Sequence, residues 1–169
     1  MPEYVIRRTP KPAPLTADAD TGSWAAAELA EIDRFPWHAG GDRQPTYVRM
    51  LYDAEALYLQ FHCVDRHISA RVAALNGPVC TDSCVECFAS PFPAERPHYF
   101  NFELNCCGTF HLGYGPDRDH RRLIDRELAA GIEVLSSIPG KTREEQPDDR
   151  HWWLAAALPF DVLSEFVGR

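Results

Sequence analysis

The most regular alternation in the chain lies in Tyr99–Asn105. Phe100, Phe102 and Leu104 fall on one parity, and Asn101, Glu103 and Asn105 on the other. A period of two sends alternate side chains to opposite faces of a strand. The segment is therefore predicted to bury its apolar side and to present a row of two amides and a carboxylate. Cys84–Ala89 before it, and Thr109–Tyr114 returning through Gly108, read as its strand neighbours. A second pair, Tyr47–Tyr52 and Leu57–Asp65, is predicted as a hairpin turning at Asp53-Ala54-Glu55-Ala56. There Leu57, Leu59, Phe61 and Cys63 share the apolar parity, and Tyr58, Gln60 and His62 take the other. Gly131–Ile138 and His151–Leu158 are the remaining clear strands. In the last, Trp152 shares parity with Leu154, Ala156 and Leu158 and is assigned to the core, which leaves Trp153 on the opposite face.

Helical pattern is confined to the ends. Trp24 to Asp33 is rich in Ala and Glu, with Ser23 as candidate N-cap, and reads as a short helix or turn with Trp24 as an apolar anchor. A second short helix is expected over Val162–Val167, after Pro159-Phe160-Asp161. Residues 3–8 read as an edge strand, closed by Pro10, Pro12 and Pro14. The loop 35–45 carries Trp37; Asn76-Gly77-Pro78 marks a turn in the irregular stretch 66–81; 116–130 and 139–150 are charged and solvated. Many short strands separated by turns predict an all-β fold: an antiparallel, jelly-roll-like β-sandwich with short peripheral helices, as one domain over 1–169.

Composition narrows the functional classes. A formal net charge of −8 without a Lys/Arg-rich run argues against nucleic acid as a partner. No apolar stretch is long enough to span a bilayer, so no membrane partner is expected. The N-terminus, Met-Pro-Glu-Tyr-Val-Ile-Arg-Arg, lacks the apolar region of a secretory signal, so a cytoplasmic location is expected. In that compartment the six cysteines read mostly as buried thiols.

Cys80-x3-Cys84-x2-Cys87 has the spacing of an iron–sulfur triplet, but a strand would send Cys84 and Cys87 to opposite faces. Zinc held by these cysteines with His62 or His111 fits no standard spacing. Glu86 and Glu103 are a candidate glycosidase pair only if they share one cleft. No Walker loop, dinucleotide fingerprint or hydrolase serine elbow is present. The polar row Asn101, Glu103 and Asn105 is either a ligand face or a solvated outer face. Amides and carboxylates bond sugar hydroxyls, and a flat ring offers a platform to a pyranose; Trp153 is the candidate ring.

The order of these segments resembles the family 9 carbohydrate-binding modules. The resemblance rests on Trp24 after an acidic turn; Val48-Arg49-Met50-Leu51-Tyr52-Asp53 with Leu57-Tyr58-Leu59; Val64-Asp65; Asp82-Ser83-Cys84-Val85-Glu86-Cys87-Phe88; Tyr99–Asn105 with Gly108; and Trp152-Trp153 leading to Leu158-Pro159-Phe160. It spans about residues 15 to 160. It implies a non-catalytic β-sandwich that binds glycan ends or small sugars, with calcium in some members and no other cofactor. Such modules clamp a sugar between two tryptophans. One precedes the Asp-Ser-x-Val-Glu motif, where this chain has Pro78-Val79-Cys80-Thr81. The other lies beyond the last helix, and a domain ending at Arg169 would lack those C-terminal strands. Uncovered edges would then favour a homodimer or a covering partner.

The ligand-binding expectation is thus Glu86, Asn101, Glu103 and Asn105, with Arg49, His62, Trp153 and Tyr47 as further candidates, for a small sugar or oligosaccharide in carbohydrate catabolism. The alternatives are an interaction domain that keeps the fold without a sugar site, and a small glycoside hydrolase using Glu86 and Glu103.

Overall fold

The computed structural model describes residues 3–20, 22–36, 38–41 and 43–168; Trp37 lies outside them. Among the described residues, ten strands build two sheets. They are β1 (Arg7–Arg8), β2 (Ala30–Ile32), β3 (Thr46–Tyr52), β4 (Ala56–Val64), β5 (Cys84–Ala89), β6 (Tyr99–Asn105), β7 (Phe110–Gly115), β8 (Arg122–Leu123), β9 (Glu133–Ser136) and β10 (His151–Pro159). Two short helices complete the set, α1 (Arg126–Ala129) and α2 (Phe160–Val167). One sheet runs β1-β3-β4-β10-β9, with β2 also on β3; the other runs β5-β6-β7-β8. All pairings are antiparallel except β1 with β3. The mostly-β, two-sheet expectation holds.

The apolar parities meet between the sheets. Leu59, Phe61 and Cys63 of β4, Phe102 and Leu104 of β6, Leu112 of β7, and Trp152, Leu154, Ala156 and Leu158 of β10 form one buried cluster. The indole of Trp152 donates from Nε1 to Asp65, which also accepts from Ser83. A buried Trp keeps its polar end satisfied in this way.

A second cluster lies on the outer side of the six-stranded sheet: Ala13, Trp24, Leu51, Ala56 and Tyr58. The proline-rich N-terminal segment folds back over this side as a roof. Trp24 is fully buried and donates to the Pro14 carbonyl at 2.8 Å. Gln60, also fully buried, donates to the Thr16 carbonyl at 2.8 Å.

The predicted helix over 24–33 is a correction. Only Gly22–Ala26 is helical, as a 3-10 turn, and Ala30–Ile32 is β2, paired with Val48, Tyr47 and Thr46. Four alanines and two glutamates favour helix locally, but the open edge of β3 offers backbone partners, and tertiary pairing overrides propensity. The first strand is also shorter than expected, Arg7–Arg8.

Asp53 makes the β3–β4 turn. Its carboxylate accepts from the backbone N–H of Glu55 and Ala56 and from the Tyr58 hydroxyl. Burial alone would raise its pKa, but these three donors hold it below the ordinary value. The irregular stretch 66–81 is clamped at two points. Asn76, at φ 60°, donates to the Ile124 carbonyl and accepts from the Leu112 N–H. A short amide side chain tolerates that left-handed backbone. Asp82 accepts from the N–H groups of Arg71 and Val72.

Candidate functional site

The outer side of the four-stranded sheet carries the polar row, and its geometry follows from strand register. Glu86 on β5 faces Glu103 on β6, which faces His111 on β7. The next row is Phe88, Asn101, Gly113 and Leu123, one residue from each of the four strands. Directly opposed side chains sit about 5 Å apart at Cβ. Acids thus lie side by side, flanked by a row that is apolar at both ends. Phe88 is 56% exposed and Leu123 45% exposed. Phe88 and Tyr99 have ring centroids 6.0 Å apart.

Electrostatics sharpen the acid pair. The pKa of Glu86 is raised, first by partial burial and then by the Glu103 charge, with Arg121 opposing. Arg121 comes from the loop before β8. It lies 5.1 Å from the Tyr99 ring centre and donates to its hydroxyl at 3.0 Å. Gly113 permits this: a Cβ there would come within 3.1 Å of the Arg121 side chain. Asn101 is 1% exposed; its Nδ2 donates to Glu103 at 2.7 Å, fixing that carboxylate, while its Oδ1 has no partner among the described residues. A hollow of about 400 Å³ adjoins Glu103, lined by Asn76, Pro78, Cys80, His111 and Arg118 among others. That is within the range of small-ligand sites.

The expected site residues divide. Glu86, Asn101 and Glu103 come together here. Asn105 shares their parity but is fully buried and structural. It donates to Asp82 and to the Val72 carbonyl and accepts from the N–H groups of Cys107 and Thr109. An amide has two donors and one carbonyl, and all are used.

Arg49, His62, Trp153 and Tyr47 lie on the other sheet. Tyr47, His62 and Trp153 form a cross-strand row on its outer side, away from Glu86. Arg49 is 3.8 Å from Asp20, and with Tyr47 and His62 it lines a separate shallow hollow of about 410 Å³ under the N-terminal roof. Burial, then the Arg49 charge, lowers the pKa of His62. Trp153 is half-buried and takes no part in that hollow. A period of two names the face of each strand but not which of two sheets the strand joins.

Phe88, Tyr99 and Arg121 were not among the expected residues. Phe88 shares parity with Glu86, and Tyr99 with Asn101, which was a usable signal. Arg121 sits in a charged, unpatterned stretch and gave none.

Metal and thiol chemistry find little support in this arrangement. Among the described residues no three His, Cys, Asp or Glu side chains gather as a metal site requires. The carboxylates of Asp53, Asp82 and Asp149 accept from backbone N–H groups. All six cysteines are free thiols. Cys87 packs against the core while Cys84 lies on the Glu86 side, so the triplet does not converge.

The sequence matches the profile of a family described as "Carbohydrate-binding family 9" over residues 22–167. No curated protein matches the chain. Three solved structures are similar. A Bacteroides uniformis protein described as a "putative carbohydrate-binding protein" is 25% identical, with a TM-score of 0.75, covering 86% of this chain and 64% of its own. A family 9 carbohydrate-binding module from Caldicellulosiruptor kristjanssonii in complex with cellotriose is 10% identical, with a TM-score of 0.55, over 91% of this chain and 66% of its own. A family 9 module from the same organism in complex with glucose gives 12% identity and a TM-score of 0.52, over 90% and 68%. The chain therefore spans about two thirds of the length of these structures. The two Caldicellulosiruptor matches bear on the fold alone.

Proposed function

The chain belongs to carbohydrate-binding family 9, and on that premise we propose that it is a non-catalytic module binding a small sugar or glycan end on the outer side of its four-stranded sheet. The observation that carries the reading is the Glu86–Glu103 pair, set in register beside an exposed Phe88 and a Leu123. Carboxylates accept from sugar hydroxyls, and the Phe88 ring gives the C–H face of a pyranose an apolar platform. The partial burial of Glu86 strengthens each such bond relative to bulk water. Glucose and β-1,4-linked glucose oligomers are the first ligands to test, since other modules of this family were solved with glucose and cellotriose. The context we propose is carbohydrate catabolism.

With Phe88 as the exposed ring on this face and no tryptophan pair beside it among the described residues, affinity is expected in the millimolar range, about 4 kcal/mol of binding. Titration calorimetry of glucose, cellobiose and cellotriose against the native chain and Glu86→Gln is the test. Saturable heat that weakens in the variant supports the reading; flat heats for every sugar at tens of millimolar overturn it. One observation favours a second reading, an interaction domain that keeps the fold without a sugar site: Pro78 and Cys80, not a ring, flank the hollow beside Glu103. It predicts those flat heats.

A further inference from the structure

The interior is not closed everywhere. Where β5 runs into the 90–98 loop, a cavity of about 280 Å³ opens between the two sheets. Leu59, Phe102 and Leu158 form its floor, each no more than 5% exposed. Ala89, Pro91, Phe160 and Ser164 are exposed and form its mouth. No charged side chain lines it, and Ser164 brings its one hydroxyl, at the rim, among the described residues.

Size and chemistry define the occupant. Well-packed interiors hold few voids larger than a water molecule. This one equals the liquid volume of roughly nine waters, at about 30 Å³ each, yet its floor offers them no hydrogen-bond partners. Apolar cavities of about 150 Å³ already bind benzene-sized molecules. A hydrocarbon group fits these walls; a sugar ring or an ion does not.

The mouth adjoins the proposed sugar face. β5 is an edge strand, with Glu86 and Phe88 on its outer side and Cys87 and Ala89 on its inner side. Glu86 and Ala89 are about 10 Å apart along the strand. A ligand with a hydroxylated head at Glu86–Phe88 can pass round the free edge of β5 and reach the mouth at Ala89. We propose that the slot receives the hydrocarbon tail of an amphiphilic glycoside whose sugar head rests on the outer face. This rests on the sugar reading above for the head, and on the cavity alone for the tail.

The test is calorimetric titration of the full chain with methyl, butyl, hexyl and octyl β-glucoside below their micelle-forming concentrations, and with 1-octanol. Affinity should rise about three- to fourfold per added methylene until the slot is filled. Ala89→Phe on β5 and Ser164→Phe on α2, both lining the slot, should abolish that rise and leave methyl glucoside binding unchanged. Equal affinity for methyl and octyl glucoside, or a rise that survives both variants, overturns the proposal. Octanol binding lost in both variants, with no heat from methyl glucoside, keeps the tail slot and removes the sugar head.

Discussion

The two outer faces of the sandwich begin from the same sequence pattern and end differently. On β6 the polar parity carries Asn101 and Glu103; on β4 it carries Tyr58, Gln60 and His62. Over β4 the N-terminal segment folds back, burying Tyr58 at 5% exposure and Gln60 completely. Over β6 the cover is only partial: Asn101 is buried and Arg121 reaches in from the side, but Glu86, Phe88 and Leu123 on the flanking strands stay exposed. Polar alternation therefore marks a face that does not join the central core. Whether that face can meet a ligand is decided by a distant segment of chain.

The largest effect expected from this contrast is on the roofed face. Trp24→Ala should cost about 3–5 kcal/mol by removing a fully buried ring, read as a lowered chemical-denaturation midpoint. If the domain still folds, sugar affinity should change little, because Trp24 lies on the far sheet.

Asp53→Ala comes next, at about 1.5–3 kcal/mol for lost hydrogen bonds to a charged group. Its sign with pH is fixed. The folded pKa of Asp53 is depressed, so its contribution is full above the unfolded carboxylate value of about 3.9 and is lost as pH falls through the folded value. The difference in melting temperature between native and variant should shrink as pH is lowered from 5 toward 2.

On the open face, function and stability should separate. Glu86→Gln and Glu103→Gln should each weaken sugar binding about tenfold or more, the scale of a charge-assisted hydrogen bond. Glu86 has a raised pKa, so its folded charge is disfavoured and stability falls as pH rises through the unfolded and then the folded value. Glu86→Gln should accordingly be no less stable than the native chain at pH 7 by thermal denaturation. A variant that loses sugar affinity only because it unfolds would break the comparison.

The smallest effects belong to Arg49→Ala and Trp153→Ala. Both residues sit on the six-stranded sheet, so sugar affinity should change less than twofold by calorimetry.

Much of the scaffold was legible in local sequence. Period two placed Phe102, Leu104, Leu59 and Trp152 in the core because neighbouring residues alone decide strand parity. The sequence of β2 favours helix locally, and its strand state depends on the edge of β3. The placement of the candidate residues was legible in part. Glu86, Asn101 and Glu103 share one face, as their parity and the motif around Glu86 implied. Asn105 continues the same parity, yet Asp82 and the Val72 carbonyl take its amide. Arg49 and His62 are candidates from a hairpin read as neighbouring, and Trp153 as a ring, and only sheet membership separates them from Glu86. Arg121 was hidden because its position depends on a loop passing over Gly113 and Gly115, where added Cβ atoms would meet Arg121 itself.

The central claim is that ligand meets the four-stranded sheet and not the six-stranded one. Amide chemical-shift mapping on the isotopically labelled chain during titration with glucose and cellotriose tests it directly. The account predicts saturable shifts centred on Glu86, Phe88, Asn101 and Glu103. Shifts centred on Arg49, His62 and Trp153 would contradict it.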